Sequence, residues 1–164
     1  MGEQKGSDLL VKLYEVKENR ELEERLLEEG IRVNRIFPPN YDMLLEYVSG
    51  HFSKGWVSET KAALANHPAS CYVAIQKGKI IGFACYNATA KDYFGPTGVS
   101  EECRGKGVGT LLLIKCLLAL KEEGYGYAII GWSDDATPFY KKIVGATEIP
   151  DSIPGLYGQM VEMP

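Results

Sequence analysis

Apolar positions along this chain switch between a period near two and a period near 3.6, and the switches mark out its elements. "DLLVKLYEV", Asp8 to Val16, alternates and predicts a strand. "NRELEERLLEEG" predicts a helix capped by Asn19, striped by Leu22, Leu26 and Leu27, and stopped by Gly30. "IRVNRIF" runs to the Pro38-Pro39 break, and two more helices follow: "YDMLLEYVSGHF" through Met43, Leu44, Tyr47 and Val48, then "WVSETKAALAN". Beyond His67-Pro68 the period changes. "CYVAIQKGKIIGFACYNAT" predicts a hairpin turning at Lys77-Gly78-Lys79. "KDYFGPTGV" is a third strand disturbed by Gly95, Pro96 and Gly98, which predicts a bulge or the close approach of another backbone or a ligand. Val108 to Glu123 forms a strongly apolar helix ended by Gly124, and "YAIIGW", Tyr127 to Trp132, a short apolar strand of the kind buried on both faces. "ATPFYKKIVG" makes a short helix ending at Gly145, and the tail apolars Ile149, Ile153, Leu156, Tyr157, Met160 and Val161 predict one or two edge strands. Helices, a three-stranded meander, a crossover helix, a central strand, a second helix and tail strands make an α/β (α+β) domain with a mixed sheet.

The 164 residues suit a single domain, 1–164, with an ordinary 45% hydrophobic and 24% charged content. A formal net charge of -4 with no basic block argues against a nucleic-acid partner. No apolar run approaches the roughly 20 residues of a membrane span, and "MGEQKGSDLL" has no signal-peptide core, so a cytoplasmic protein with no membrane partner is expected. The four cysteines, Cys71, Cys85, Cys103 and Cys116, lack C-x-x-C spacing and only His51 and His67 accompany them, so no metal site is expected. They read as buried free thiols, with Cys103 partly exposed beside Arg104.

"GPTGVSEECRGKGVGTLLL", Gly95 to Leu113, raises the chemical question. Gly105, Gly107 and Gly109 alternate between two cations and an apolar helix, where bare backbone has no packing value. A glycine-rich strand-to-helix junction suits anion binding, since amides at a helix N-terminus and the helix dipole hold phosphate oxygens. The spacing is not G-x-x-x-x-G-K-[ST], and the glycines do not follow the first strand of a βαβ unit as G-x-G-x-x-G does. Arg104, Gly107 and Gly109 make R-x-x-G-x-G. The competing reading is a loop whose glycines only permit close helix packing.

This stretch, together with "PFYKKIVGA" from Pro138 to Ala146, resembles the GNAT (GCN5-related N-acetyltransferase) superfamily over about residues 70–150. The resemblance implies a mixed sheet of about six or seven strands, splayed between the fourth and fifth and flanked by helices. It implies acetyl-CoA as cosubstrate, without metal, its diphosphate held by Arg104, Gly105, Lys106, Gly107, Val108, Gly109 and Thr110. The pantetheine arm would lie along Thr97, Gly98 and Val99 and near Ser133, which stands with Asp134 where many relatives carry asparagine. Tyr140 would protonate the leaving sulfur and also touch the cofactor, and an amide near Val99 would hold the oxyanion. The base is less defined: Asp92 and Asp134 or Asp135 are the candidates by placement, and Tyr86, Tyr93, His51 and Glu46 would line the acceptor side. Residues 1–69 would shape the side that receives a small-molecule or peptide amine, and Phe52, Trp56, Tyr93, Phe94 and Trp132 either line that pocket or fill core. A homodimer is possible on this resemblance. The rival reading is an acyl-CoA sensor without turnover.

Overall fold

The computed structural model describes residues 6–162. Its elements in chain order are β1 (Ser7–Lys12), α1 (Arg20–Glu28), β2 (Ile31–Arg35), α2 (Tyr41–His51), α3 (Lys54–Leu64), β3 (Cys71–Gln76), β4 (Lys79–Tyr86) and β5 (Tyr93–Val99), followed by α4 (Val108–Glu122), β6 (Tyr127–Ser133), α5 (Thr137–Val144) and β7 (Thr147–Glu148). Local signals set most boundaries. The Asn19 side chain accepts from Leu22 N–H at 3.1 Å to start α1, Gly30 ends that helix at φ +79°, and Lys77 and Gly78, both at positive φ, turn the β3–β4 hairpin.

The seven strands form one sheet in the order β2-β3-β4-β5-β6-β1-β7. Every pairing is antiparallel except β5 with β6. The crossover through α4 makes that pair parallel, as a strand–helix–strand unit requires. Two layers cover the sheet. Leu111, Leu112, Leu113, Cys116, Leu117 and Leu120 of α4 fill one face together with Leu26 of α1 and Tyr140 of α5. Leu44, Tyr47 and Val48 of α2 with Ala63 and Leu64 of α3 close the other over Val73, Phe83 and Cys85.

The tail differs from expectation. Only Thr147–Glu148 is strand, and Gly155–Gln159 is a 3-10 turn. That short strand is an edge of the sheet, paired with β1, which in turn pairs with β6 from Ser7↔Ser133 to Lys12↔Tyr127. β1 itself is shorter than the alternation from Asp8 to Val16 suggested, since Leu13–Glu15 turn as a 3-10 helix. Cys103 is buried along with the other three thiols, not partly exposed. Among the described residues no helix is long and apolar enough to cross a membrane.

Leu112 is fully buried between α4 and the sheet. Leu112→Ala is expected to lower the unfolding free energy by about 2–5 kcal/mol through lost burial and the cavity it leaves, read from the urea midpoint at unchanged slope.

Candidate active site

The bulge expected at Gly95-Pro96 is present. β4 and β5 pair at Ala84↔Thr97 and Tyr86↔Phe94, so the register shifts by one residue between those pairs. Beyond it the sheet opens: β5 and β6 pair only at Tyr93↔Ile129 and Phe94↔Ile130. This is the splay expected between the family's fourth and fifth strands, displaced by one in this chain because β1 precedes. Ser100 N–H donates to Ile81 O of β4 at 2.9 Å. Alternation along an antiparallel strand then turns the main-chain groups of Thr97 and Val99 away from β4, toward the opening.

At the wide end of the opening lies the glycine turn. Gly105 and Gly107 have φ of +83° and +93°, a region closed to most side chains. Gly107 also faces α1: a Cβ there would stand 2.7 Å from Leu22 Cδ1. Gly109 is different. Its φ is ordinary, and a Cβ would meet only Val99 Cγ2, at 3.6 Å. Protein packing therefore explains Gly107 but not Gly109. Gly98, expected to be bare for a ligand, is bare for a ring, since a Cβ would collide with Phe52.

The amides of this turn are unspent. Arg104 N–H bonds Glu101 O and Leu111 N–H bonds Gly107 O. Among the described residues no atom accepts from the amides of Gly105, Lys106, Gly107, Val108, Gly109 or Thr110. No side chain caps α4, and its first turn holds no acidic residue, whereas Asn19 caps α1 and Ser53 caps α3. The dipole of a 15-residue helix thus ends on free N–H groups. Two arginines brace the turn: Arg25 Nη2 donates to Lys106 O at 2.7 Å, and Arg104 Nε donates to Val99 O at 3.2 Å. The Thr97 hydroxyl is spent on Phe83 O at 3.0 Å, so only its main chain faces the opening.

Tyr140 stands at the narrow end. Its ring packs edge-on to Phe94, the last β5 residue paired with β6, with centroids 6.2 Å apart. Burial alone pushes its hydroxyl up to about 12. Asp92 Oδ1 is the single side-chain polar atom among the described residues that is sealed in without a partner. The Tyr140 hydroxyl is therefore not sealed, although its ring is. Ser133 is buried, and its hydroxyl is shared with Thr137 at 2.9 Å.

Residues 37–146 match the Acetyltransferase (GNAT) family. The chain belongs to this family. GNAT enzymes transfer acyl groups and generally use acetyl-CoA. Solved structures agree on the fold: the glucosamine N-acetyltransferase region of a fungal multi-domain GH3 beta-N-acetylglucosaminidase superposes with a TM-score of 0.74 at 20% identity, over 91% of this chain and 20% of that one. GCN5-related N-acetyltransferases from Sphaerobacter thermophilus (TM-score 0.63, 19% identity, 89% of this chain and 50% of that one) and Kribbella flavida (0.61, 15%, 89% and 55%) also match. This chain thus spans a fifth to about half the length of those proteins. No curated protein matches it in sequence.

The remaining candidates scatter within the GNAT fold. Asp92, at φ +68°, directly precedes β5 and accepts Ile129 N–H on its carbonyl. Burial, and then Glu123, push its carboxyl up to about 6. The Tyr86 hydroxyl is held by Arg35 Nη1 at 2.6 Å, and His51 Nδ1 bonds Tyr47 O at 2.9 Å. Glu46, Asp134 and Asp135 are exposed. Phe52 and Trp56 stack with Tyr47 and Phe83 as core. Trp132 leaves the core at φ +40° and packs on Tyr157 instead. Arg25 and Tyr157, which the sequence did not single out for the site, reach it from elements distant in the chain, Arg25 at Lys106 O and Tyr157 at Gly131.

Gly107→Ala is expected to cost at least about 1–2 kcal/mol through its left-handed φ, while Gly109→Ala holds stability or raises it by up to about 1 kcal/mol; chemical denaturation separates them. Asp92 gives a pH signature. Its folded carboxyl keeps a proton to about 6, above the ordinary carboxylate range, so the folded state binds more protons and stability falls as pH rises from about 4 to 6. Asp92→Asn is expected to remove that slope and to exceed the parent in stability above it, as urea melts across the window will show.

Proposed function

We propose that this GNAT protein transfers the acetyl group of acetyl-CoA to a primary amine of a small molecule or peptide, by direct attack within a ternary complex. The observation that carries the proposal is the uncapped N-terminus of α4 with the free amides from Gly105 to Thr110. Such an array favours a dianionic group like the diphosphate of coenzyme A. Gly109 supports it, because nothing among the described residues calls for a bare backbone there. Arg104 and Lys106 add positive charge at the same turn, and the outward main chain of Thr97 and Val99 suits the amides of a pantetheine arm.

Bound along the opening, acetyl-CoA would bring a thioester toward the closed end, where β5 and β6 rejoin. Tyr140 is suited to give a proton to the departing sulfur: a hydroxyl at about 12 remains protonated at neutral pH, and among the described residues it has no partner. The oxyanion would be met by an amide of the bulged strand. Pro96 has no N–H, and Thr97 N–H lies nearer Phe94 and Tyr140 along the strand than Val99 does. Holding the amine against the carbonyl supplies much of the remaining rate.

Calorimetric titration with acetyl-CoA, alongside thiol release with a panel of primary amines, tests the reading. Binding plus amine-dependent release is expected; binding without release in any amine favours the sensor, and no binding removes both. Gly109→Ala is expected to weaken acetyl-CoA at least several-fold without loss of stability. Tyr140→Phe is expected to lower turnover by about 10²-fold or more with cofactor affinity unchanged, and parental rates would remove Tyr140 from the acid role.

A further inference from the structure

Past Phe94↔Ile130, the last pair of β5 with β6, both strands carry an extra residue. On β5, Gly95 and Pro96 together oppose Cys85 of β4. On β6, the partners of Leu9 and Ser7 are Ile130 and Ser133, so Gly131 and Trp132 together oppose Asp8 of β1. Each lip of the opening therefore bulges on its outer edge, starting one residue after the same pair. A bulge bends its strand and sharpens its twist, and pairing between β5 and β6 stops where the two bulges begin.

The two are not equally at ease. On β5 a glycine takes the positive φ, Gly95 at +119°. On β6 Trp132 takes it, at +40°, where a bulky side chain is an outlier. Something must hold it there. Asp8 Oδ1 accepts Trp132 N–H at 2.8 Å, supplying from a side chain what a carbonyl supplies in a regular ladder. Asp8 is itself clamped by the tail, its N–H donating to Ser152 Oγ at 2.8 Å and its carbonyl accepting Ile149 N–H at 2.8 Å. The residue is 5% exposed, and among the described residues no cation pairs with it. A buried carboxylate without a counter-ion costs stability, so its worth lies in the shape it imposes. The Trp132 ring, placed by that bend, packs on Tyr157 with centroids 5.3 Å apart, and a Cβ on Gly131 would stand 3.2 Å from the Tyr93 ring.

We propose that Asp8 is a positioning residue for acyl transfer: its carboxylate oxygen pins Trp132 N–H and so fixes how the β6 lip stands where thioester and acceptor meet. This rests on the acyl-transfer reading above. The role needs an acceptor oxygen at one place and needs no charge there. Asparagine keeps that oxygen, glutamate moves it by a methylene, and alanine removes it. Without it, Trp132 N–H loses its partner, the left-handed φ is free to relax, and Gly131 and the Trp132 ring move with it. A displacement of about 1 Å at the meeting point is enough to cost about 10²-fold in rate.

The test measures thiol release from acetyl-CoA with whichever of 1,4-diaminobutane, an amino sugar or a lysine-bearing peptide reacts fastest. Beside it, amide hydrogen exchange at Trp132 is read by NMR without any ligand. In Asp8→Ala, kcat is expected to fall by about 10²-fold, with acetyl-CoA affinity unchanged because the glycine turn lies at the other end of the opening. The Trp132 amide should exchange about tenfold faster, the worth of one hydrogen bond. Asp8→Asn is expected to keep the parental rate and the parental pH profile, and Asp8→Glu, with the charge but a displaced oxygen, to fall short of both. Loss of rate in Asp8→Asn with its Trp132 amide still protected would overturn the proposal, since the carboxylate would then be acting on a proton. So would a parental rate in Asp8→Ala, or a Trp132 amide that exchanges freely in the parent, a measurement that holds even where a variant fails to fold. Protection that depends on Asp8 in a protein that binds acetyl-CoA but acylates none of the amines would instead overturn the acyl-transfer reading, and the catalytic value of the bend with it.

Discussion

Two neighbouring strands that share only two residue pairs leave main-chain groups that must find partners elsewhere. That constraint, set by the bulge at Gly95-Pro96 and by the separate bend in β6 at Trp132, organises everything around it. β5 is held to β4 on one side and β6 to β1 on the other, so neither strand can swing across to close the gap. The wide end meets a helix terminus with free amides, and the narrow end meets one tyrosine on each face of the sheet. A bulge in a strand is usually a local event; here it goes with an opening that runs from the glycine turn to Tyr140.

The opening is kept in shape by polar contacts drawn from distant parts of the chain. Arg25 holds the carbonyl of Lys106 from 81 residues away, and Glu23 pairs with Lys115 at 2.6 Å on the same helix contact. Arg104 fixes the Val99 carbonyl, which leaves the Val99 N–H as the freer group of that residue. These bonds orient donors before any ligand arrives, so little reorganisation is left for binding. Exposed ion pairs of this kind add little to stability; their value is in geometry.

What was legible in the sequence was local. Asn19, Gly30 and the Lys77-Gly78 turn mark element ends through backbone preferences that act within a few residues, and R-x-x-G-x-G combined with "PFYKK" carries the family. The tail was misread because the apolar spacing from Ile149 to Val161 says only that a segment has something to bury. Its one short strand, Thr147–Glu148, pairs with β1, whose own pairing with β6 spans most of the chain, and neither leaves a local trace. Gly98 was assigned to a ligand because nothing nearby announces that Phe52 folds back onto it. Asp8 was passed over for a plain reason: an aspartate at the start of a strand is solvated by default, and only the fold brings Trp132 to it.

Asp8 belongs to the first described strand and Tyr157 to the last described turn, yet both stand at the same bend of β6, while the glycine turn lies mid-chain. The half of the cleft that would handle the donor and the half that would select the acceptor are therefore encoded in separable stretches. Evolution, or a protein engineer, could exchange the last turn like an interchangeable head on a common handle, while the glycine turn, braced by Arg25 from α1, stays as it is.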